Sequence, residues 1–384
     1  MDWELPDELK LLQETVREFV ERELIPIEMS VPDGEEVPAS ILTPLQAKAR
    51  ELGLWMIDVP SELGGAGLGL LEQALITEEL GRTVAMPFRG NPLFGTHLTP
   101  ILRACNEDQH ERYVLPVLRG EKRPCFAQSE PEAGSDPAAM RTRAVRDGEE
   151  WVMNGMKRYI TLAHRSDFAT VLAVTDPEAP RGGGISCFLV DLASPGVSLL
   201  RPQPTMMGDA PWEIAFDDVR VPAANLVGDE GGGFALGQGF LTVGRVLGHG
   251  AHPVGVAQRA LDLAIDYAKT RVTFGQPLGD RQAIQFMIAD SAIEIHAARL
   301  MVHRCAWRYD QGLDTREESY MVKVYCAEMV DRVVDRAIQI HGAIGLTTEL
   351  PLERWYRQMR SIRITEGATE VMRWRLARNI IRSH

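Results

Sequence analysis

The sequence predicts an α+β chain that runs helices, then strands, then helices, and three observations predict it. Apolar residues recur near the helical period up to Glu121, short runs bounded by turn residues follow, and long helical patterns resume after Phe234. Because helices and strands do not alternate, a doubly wound parallel sheet is disfavoured, and no G-x-G-x-x-G opens a helix as a nicotinamide-binding unit requires. At 384 residues the chain exceeds what one hydrophobic core supports. The texture changes place domains at residues 1–121, 122–229 and 230–384.

In the first segment Leu9, Leu12, Val16, Phe19 and Leu24 mark a helix from Asp7 to Leu24, and similar patterns return at Pro44 to Leu54 and Leu70 to Leu80. The glycine-rich run Leu63 to Gly69 reads as a loop; no strand precedes it and no Lys-Ser/Thr follows it, so it is not a phosphate cradle. Strands are expected at Trp151 to Met153, Phe168 to Val174, Ile185 to Val190, Ser198 to Leu200 and Glu213 to Phe216. Pro222 and Gly231-Gly232-Gly233 close that region. Helices then run from Phe234 through Thr270, Gln282 to Gln311, Glu317 to His341 and Thr369 to Ile381.

Bulk properties exclude several classes. Hydrophobic residues at 45% and charged residues at 25% argue for a folded globular chain. With 41 Lys and Arg against 54 Asp and Glu the formal charge is -13, which repels nucleic acid, so an anionic ligand needs a local basic pocket. Cys105, Cys125, Cys187, Cys305 and Cys326 are odd in number and form no C-x-x-C pair, so neither a disulfide framework nor a zinc site is expected. No run reaches membrane-spanning length, and Met1-Asp2-Trp3-Glu4 opens without a basic leader or apolar core. Cytoplasmic residence is therefore the expectation, with a processed matrix form left open.

Chemistry concentrates in two places. The acidic, hydroxyl-bearing turn Gln128-Ser129-Glu130-Pro131-Glu132-Ala133-Gly134-Ser135-Asp136 is followed by Asn154-Gly155, read as a hairpin signal, and by Lys157-Arg158-Tyr159-Ile160-Thr161. Residues two apart on a strand share a face, so Tyr159 and Thr161 present a ring and a hydroxyl together, a surface suited to a planar cofactor such as a flavin. His249, His252 and His341 lack metal-ligand spacing; they read as structural or solvent-facing, and no metal is predicted. Arg354, Arg357, Arg360 and Arg363, at i, i+3 spacing, read first as a solvated or interface face.

These stretches, with Phe216-Asp217-Asp218-Val219-Arg220-Val221-Pro222, Arg271-Val272-Thr273-Phe274-Gly275, Gln339-Ile340-His341-Gly342 and Glu366-Gly367, resemble the acyl-CoA dehydrogenase family in order and spacing over essentially the whole chain. The resemblance implies a helical N-terminal domain, a β-barrel-like middle domain and a C-terminal four-helix bundle holding FAD and an acyl-CoA thioester. It implies that Gln128, Ser129, Ser135, Tyr159 and Thr161 line the flavin, Tyr159 standing where many members have Trp and Ser129 where many have Thr. Arg271, Phe274 and Gln282 match positions that reach the FAD of a neighbouring subunit, and Gln339 with Gly342 matches a stretch near its pyrophosphate, with Ala343 where a second Gly is common. Read without the family, Arg271 is a cation at a helix C-terminus and Phe274 is core.

Glu366 matches the family's catalytic base. Removing an α proton from a thioester suits a carboxylate in a water-poor cleft, where desolvation makes it a better base, and the flavin N5 takes the β hydride. The plain alternative is an acidic residue at the start of the last helix. Ser135, Arg245 and Gly367 are implied at the substrate. Some relatives carry the base immediately before an arginine; here Gly244 precedes Arg245, and Arg245 lies one residue further from Gly255 and Gln258 than the family pattern. The implied partners are an electron-transfer flavoprotein and further copies of the chain, a homodimer or homotetramer, in fatty acid β-oxidation. Alternatives are an acyl-CoA oxidase using dioxygen and a non-catalytic subunit of a mixed oligomer.

Overall fold

The structure is a computed structural model describing residues 4–34 and 36–383; Met1 to Trp3, on which part of the leader reading rests, lie outside the described residues. The chain folds as two compact units, one of Gln46–Gly67 and Arg89–Leu241, the other of Met1–Leu45, Leu68–Phe88 and Thr242–His384.

The first unit is built on one eight-stranded mixed sheet. Its strands are β1 (Pro124–Ala127), β2 (Arg143–Asp147), β3 (Glu150–Ile160), β4 (Phe168–Val174), β5 (Ile185–Asp191), β6 (Val197–Pro202), β7 (Trp212–Pro222) and β8 (Leu226–Val227). The order is β6-β7-β3-β2-β4-β5-β8, with β1 pairing parallel to β4. The apolar run Phe168 to Val174 is buried on both faces, and its alternate residues separate into two cores. Phe168 and Leu172 join Leu189, Tyr113 and Ile101 on one side; Ala169, Val171 and Ala173 join Trp151, Phe188 and Val190 on the other.

Two expectations fail here. Asn154-Gly155 is not a hairpin turn but lies inside β3 at a register shift opposite β7. Asn154 exchanges two 2.9 Å bonds with Asp218, and a Cβ on Gly155 would sit 2.5 Å from Thr142 Oγ1, so the glycine serves a bulge and a close approach. The hairpin turn comes earlier, at Gly148-Glu149, where Asp147 pairs with Glu150. Likewise Tyr159 and Thr161 do not share a strand face. Tyr159 is left-handed (φ 60°), the register slips between Lys157 and Ile160, and Thr161 lies past the strand end.

The second unit is helical. Its principal helices are α1 (Asp7–Phe19), α2 (Leu70–Gly81), α3 (Gly233–Val246, entering from the sheet unit), α4 (His252–Thr270), α5 (Gln282–Asp310), α6 (Arg316–His341), α7 (Leu352–Ser361) and α8 (Thr369–Ser383). Small residues let α2 and α4 touch: a Cβ on Gly255 would lie 1.8 Å from Glu78 O, and one on Gly81 2.3 Å from His252 O. Ala257, Ala260, Ala264, Ala298, Val302 and Val330 fill the core. Asp310 caps α2 from the far end of α5, accepting from Leu70 N at 2.6 Å and Leu71 N at 2.9 Å.

The arginine cluster does not form one solvated face: Arg360 is exposed, Arg357 and Arg363 are half-buried and Arg354 is buried. Arg354 is buried on α7 and donates to Val31 O and Val84 O, while Arg357 bonds Asp33 and Glu353 at 2.8 Å. Their i, i+3 spacing follows that of Leu352, Trp355 and Met359, the apolar face of the same helix.

Candidate active site

Glu366 sits in the turn between α7 and α8, not within the last helix. Glu366 (φ 55°) and Gly367 (φ 100°) are consecutive left-handed residues, a conformation that costs a non-glycine residue on the order of 1–3 kcal/mol and persists only when its surroundings fix it. Two buried cations do so. Arg245 Nε on α3 donates to Glu366 O at 3.0 Å, and Lys323 Nζ on α6 donates to Arg363 O at 3.2 Å and Gly367 O at 2.5 Å. The Glu366 side chain is 28% exposed. Its carboxylate lies against Gly244, where a Cβ would be 2.5 Å from Oε2.

Burial depresses the Lys323 ammonium to about 7, Arg245 adds to this, and Glu366, Glu370 and Glu328 oppose it. Burial also lowers the Arg245 guanidinium, with Glu366 and then Tyr320 favouring its charge. Arg245 Nη1 is buried with no hydrogen-bond partner among the described residues. The turn is thus a carboxylate facing two desolvated cations that bond its own main chain.

A π-helical turn, Leu247–Ala251, joins α3 to α4. His249 is in that turn and, contrary to the solvent-facing alternative, is only 4% exposed. Its Nδ1 lies 3.4 Å from both Glu366 Oε2 and Gly244 O, and its Nε2 2.8 Å from Thr365 Oγ1. His252 is half-buried, and desolvation pushes its imidazole down to about 4, while His341 Nδ1 bonds Ala337 O at 2.7 Å.

In the sheet unit a buried ion pair joins the two stretches the sequence singled out. Lys157 Nζ donates to Glu130 Oε1 at 2.7 Å and Gln128 O at 3.1 Å, Glu130 accepts from Arg141 N and Thr142 N, and Arg158 N donates to Ser129 O at 2.8 Å. Burial pushes Glu130 up, but Lys157 outweighs this and holds its carboxyl below the usual range; burial depresses Lys157 to about 8. Both remain charged at neutral pH. Ser135 is exposed, Thr161 half-buried, and Tyr159 presents a ring 55% exposed with the Arg158 guanidinium 4.9 Å from its centroid. Gln128 Oε1 is buried and has no partner among the described residues, an acceptor awaiting a donor.

Arg271, Phe274, Gln282, Gln339 and Gly342 all lie exposed on the helical unit. Phe274-Gly275 forms the tip of a hairpin between β9 (Val272–Thr273) and β10 (Gln276–Pro277), both residues left-handed as a type I′ turn demands. At 97% exposure Phe274 is not core. Gly342 (φ 65°) ends α6 with open space where its Cβ would be, so its main chain is approachable. Taken one unit at a time, an orphaned acceptor, a presented ring and a bare main chain fit a flavin dinucleotide.

Three family models match: acyl-CoA dehydrogenase N-terminal domain over residues 6–121, middle domain over 125–219 and C-terminal domain over 231–381. The chain belongs to the acyl-CoA dehydrogenase family. It is 38% identical to the human mitochondrial short-chain specific acyl-CoA dehydrogenase, over 99% of this chain and 92% of that one. It is also 38% identical to subunit CarC of the caffeyl-CoA reductase-Etf complex of Acetobacterium woodii, over 94% and 95%. A solved FAD complex of PigA superposes with a TM-score of 0.87 at 25% identity, covering 99% of each chain. This acyl-CoA dehydrogenase is therefore an FAD-dependent oxidoreductase acting on CH–CH bonds, with helical N- and C-terminal domains and a mixed-sheet middle domain.

Sequence reasoning missed His249, Thr365 and Lys323. One signal was present, a lysine at an apolar position of α6 between Ser319, Val322, Cys326 and Val330.

Proposed function

We propose that the chain desaturates an acyl-CoA thioester between its α and β carbons, with Glu366 as the base that takes the α proton. The observation that supports this most is the Glu366 turn itself: a strained main chain, bonded by two buried cations, presents the carboxylate against a glycine. A base held this way loses little entropy when it meets substrate. FAD, when bound, supplies at N5 the acceptor for the β hydrogen and its electron pair. Gln128, Ser129, Ser135, Tyr159 and Thr161 would hold it from the sheet unit, and Arg271, Phe274, Gln282, Gln339 and Gly342 would reach the cofactor of a second copy.

The main-chain N–H at Glu366, beside the bare Gly367, is assigned to the thioester carbonyl, where it stabilises enolate charge as it develops. Arg245 acts through the Glu366 carbonyl, and Ser135 and Gly367 complete the substrate contacts. The reading includes the domain division 1–121, 122–229 and 230–384, a homodimer or homotetramer, cytoplasmic residence and a place in fatty acid β-oxidation. Among the described residues no helix is long and apolar enough to cross a membrane. An electron-transfer flavoprotein is the proposed acceptor, supported by the Etf complex in the name of the A. woodii relative.

The test is anaerobic mixing of the yellow protein with a panel of acyl-CoAs, for wild type and Glu366→Gln. At least one thioester bleaches the wild-type flavin and the variant is slower by at least about a thousandfold, the scale of removing a catalytic base. Equal bleaching in both removes Glu366 from the reaction.

A further inference from the structure

We propose that His249 is a positioning residue for Glu366, its imidazole lying against the carboxylate and favouring the ionised form that can accept a proton. This rests on Glu366 being the base.

Three contacts carry the inference. Nδ1 lies 3.4 Å from two oxygens, Gly244 O, its hydrogen-bond partner, and Glu366 Oε2, which it meets at ion-pair distance; a peptide carbonyl only accepts, so Nδ1 bears the hydrogen. Nε2 meets the Thr365 hydroxyl at 2.8 Å, and that oxygen lies 3.4 Å from Ser361 O. The imidazole therefore meets the turn at two consecutive residues, lying within ion-pair distance of the Glu366 carboxyl and hydrogen-bonding the hydroxyl of its neighbour. Arg245 and Lys323 bond main-chain carbonyls of this turn, whereas His249 reaches the carboxyl group itself.

The backbone supplies the reason His249 points there. A regular α-helix turns about 100° per residue, so one added residue without compensation would carry every later side chain off its face. The π-helical turn Leu247–Ala251 fits one more residue into its turn than an α-helix does, and the helix continues into α4. It packs closely on α6: a Cβ on Gly250 would fall 2.6 Å from Val322 Cγ1. Such turns recur at functional sites because they redirect a side chain without ending the helix.

The charged groups that reach the pair are Arg245 on α3 and Lys323 on α6, and these in turn feel Tyr320 and Glu328 on α6 and Glu370 and Arg375 on α8. Their charges act on the pair at any pH where they stay ionised. His249 differs in lying within ion-pair distance of the carboxylate itself.

Two measurements on the holoenzyme test this. In steady-state assays His249→Leu removes the donor and His249→Asn retains an N–H close to the Nδ1 position. The expected result for Leu is kcat lower by about tenfold, KM within about threefold, and an acid limb of the kcat profile raised by about one pH unit; Asn recovers most of the rate and the wild-type limb. An unmoved acid limb in His249→Leu overturns the proposal, as does equal impairment of both variants, which indicates packing alone. The second measurement needs neither substrate nor a His249 variant. With ring-15N histidine, the His249 titration midpoint is followed by NMR in wild type and in Glu366→Gln, and is expected to fall by about one unit when the carboxylate is neutralised. An unchanged midpoint overturns the pairing even if acyl-CoA bleaches the flavin. A shifted midpoint in a protein that no thioester bleaches sustains the pairing while the desaturation reading fails.

Discussion

Replacing Gly244 with alanine separates the geometry of the base from the stability of the fold. The added Cβ would lie 2.5 Å from Glu366 Oε2 and 3.1 Å from both Cδ and Oε1, well inside ordinary contact. The carboxylate is the free end of a flexible side chain, so it yields and the backbone does not, moving by about 1 Å. A misplacement of that size at a reacting group lowers rate by roughly a hundredfold. The same substitution removes a glycine from α3, where alanine is more favourable by up to about 1 kcal/mol. Activity and stability are therefore expected to move in opposite directions.

The assay is stopped-flow bleaching of the flavin under anaerobic conditions, beside urea denaturation of the same preparation. Gly244→Ala should retain its flavin, unfold at an equal or higher midpoint, and reduce about a hundredfold more slowly than wild type. A rate within about twofold of wild type refutes the placement of the Glu366 carboxylate against position 244. A fall in stability that tracks the fall in rate instead refutes the claim that only the side chain moves.

Two further substitutions address the buried lysines. Lys157→Met leaves Glu130 buried without its cation and should lower stability by about 3–5 kcal/mol at pH 7. Adding Glu130→Gln should restore part of that loss; urea midpoints that are no better in the double variant argue against the pair. Lys323 is held at about 7 by burial, against 10.5 in the open chain, so between those pH values the unfolded state binds the proton that the folded state has released. Stability owed to this group therefore rises as pH climbs from 7 toward 10.5, and Lys323→Met should lose that rise. Parallel urea midpoints for wild type and variant at neutral and alkaline pH would place the Lys323 titration elsewhere.

Most of the fold was legible because its signals are local. The run Phe168 to Val174 is a strand over those same residues, and the long helical patterns begin and end within a few residues of α3 with α4, of α5, of α6 and of α8. The misreadings came where a local signal serves a tertiary purpose. Asn154-Gly155 has the composition of a tight turn, yet pairing with β7 and the side chain of Thr142 use the glycine to bring two backbones together. Arg354 has the composition of a surface helix, but Val31 O and Val84 O need donors that only a side chain from α7 provides. Neither partner is predictable from spacing, because each lies far away along the chain.

The site was legible as a set of residue types and illegible as a geometry, and the backbone explains the difference. Six described residues other than glycine adopt left-handed φ: Met56, Tyr159, Leu162, Asp218, Phe274 and Glu366. Asp218 has a local cause, since Asn154 Oδ1 accepts from its N–H, and Leu162 belongs to the same strand end as Tyr159. Tyr159, Phe274 and Glu366 are three of the residues that the sequence assigned to cofactor or substrate. Each is bulky or charged, each is strained where glycine or asparagine would be at ease, and each leaves its side chain at least partly open to solvent. Strain of this kind is stored only where the surroundings over-determine it, and at Glu366 those surroundings are visible as Arg245, Lys323 and His249. Alternation and helical period assume relaxed backbone, so they misplace side chains at these positions. The failure of the Tyr159 and Thr161 face argument is therefore informative in itself, because it falls at a residue whose ring is held away from the strand that carries it.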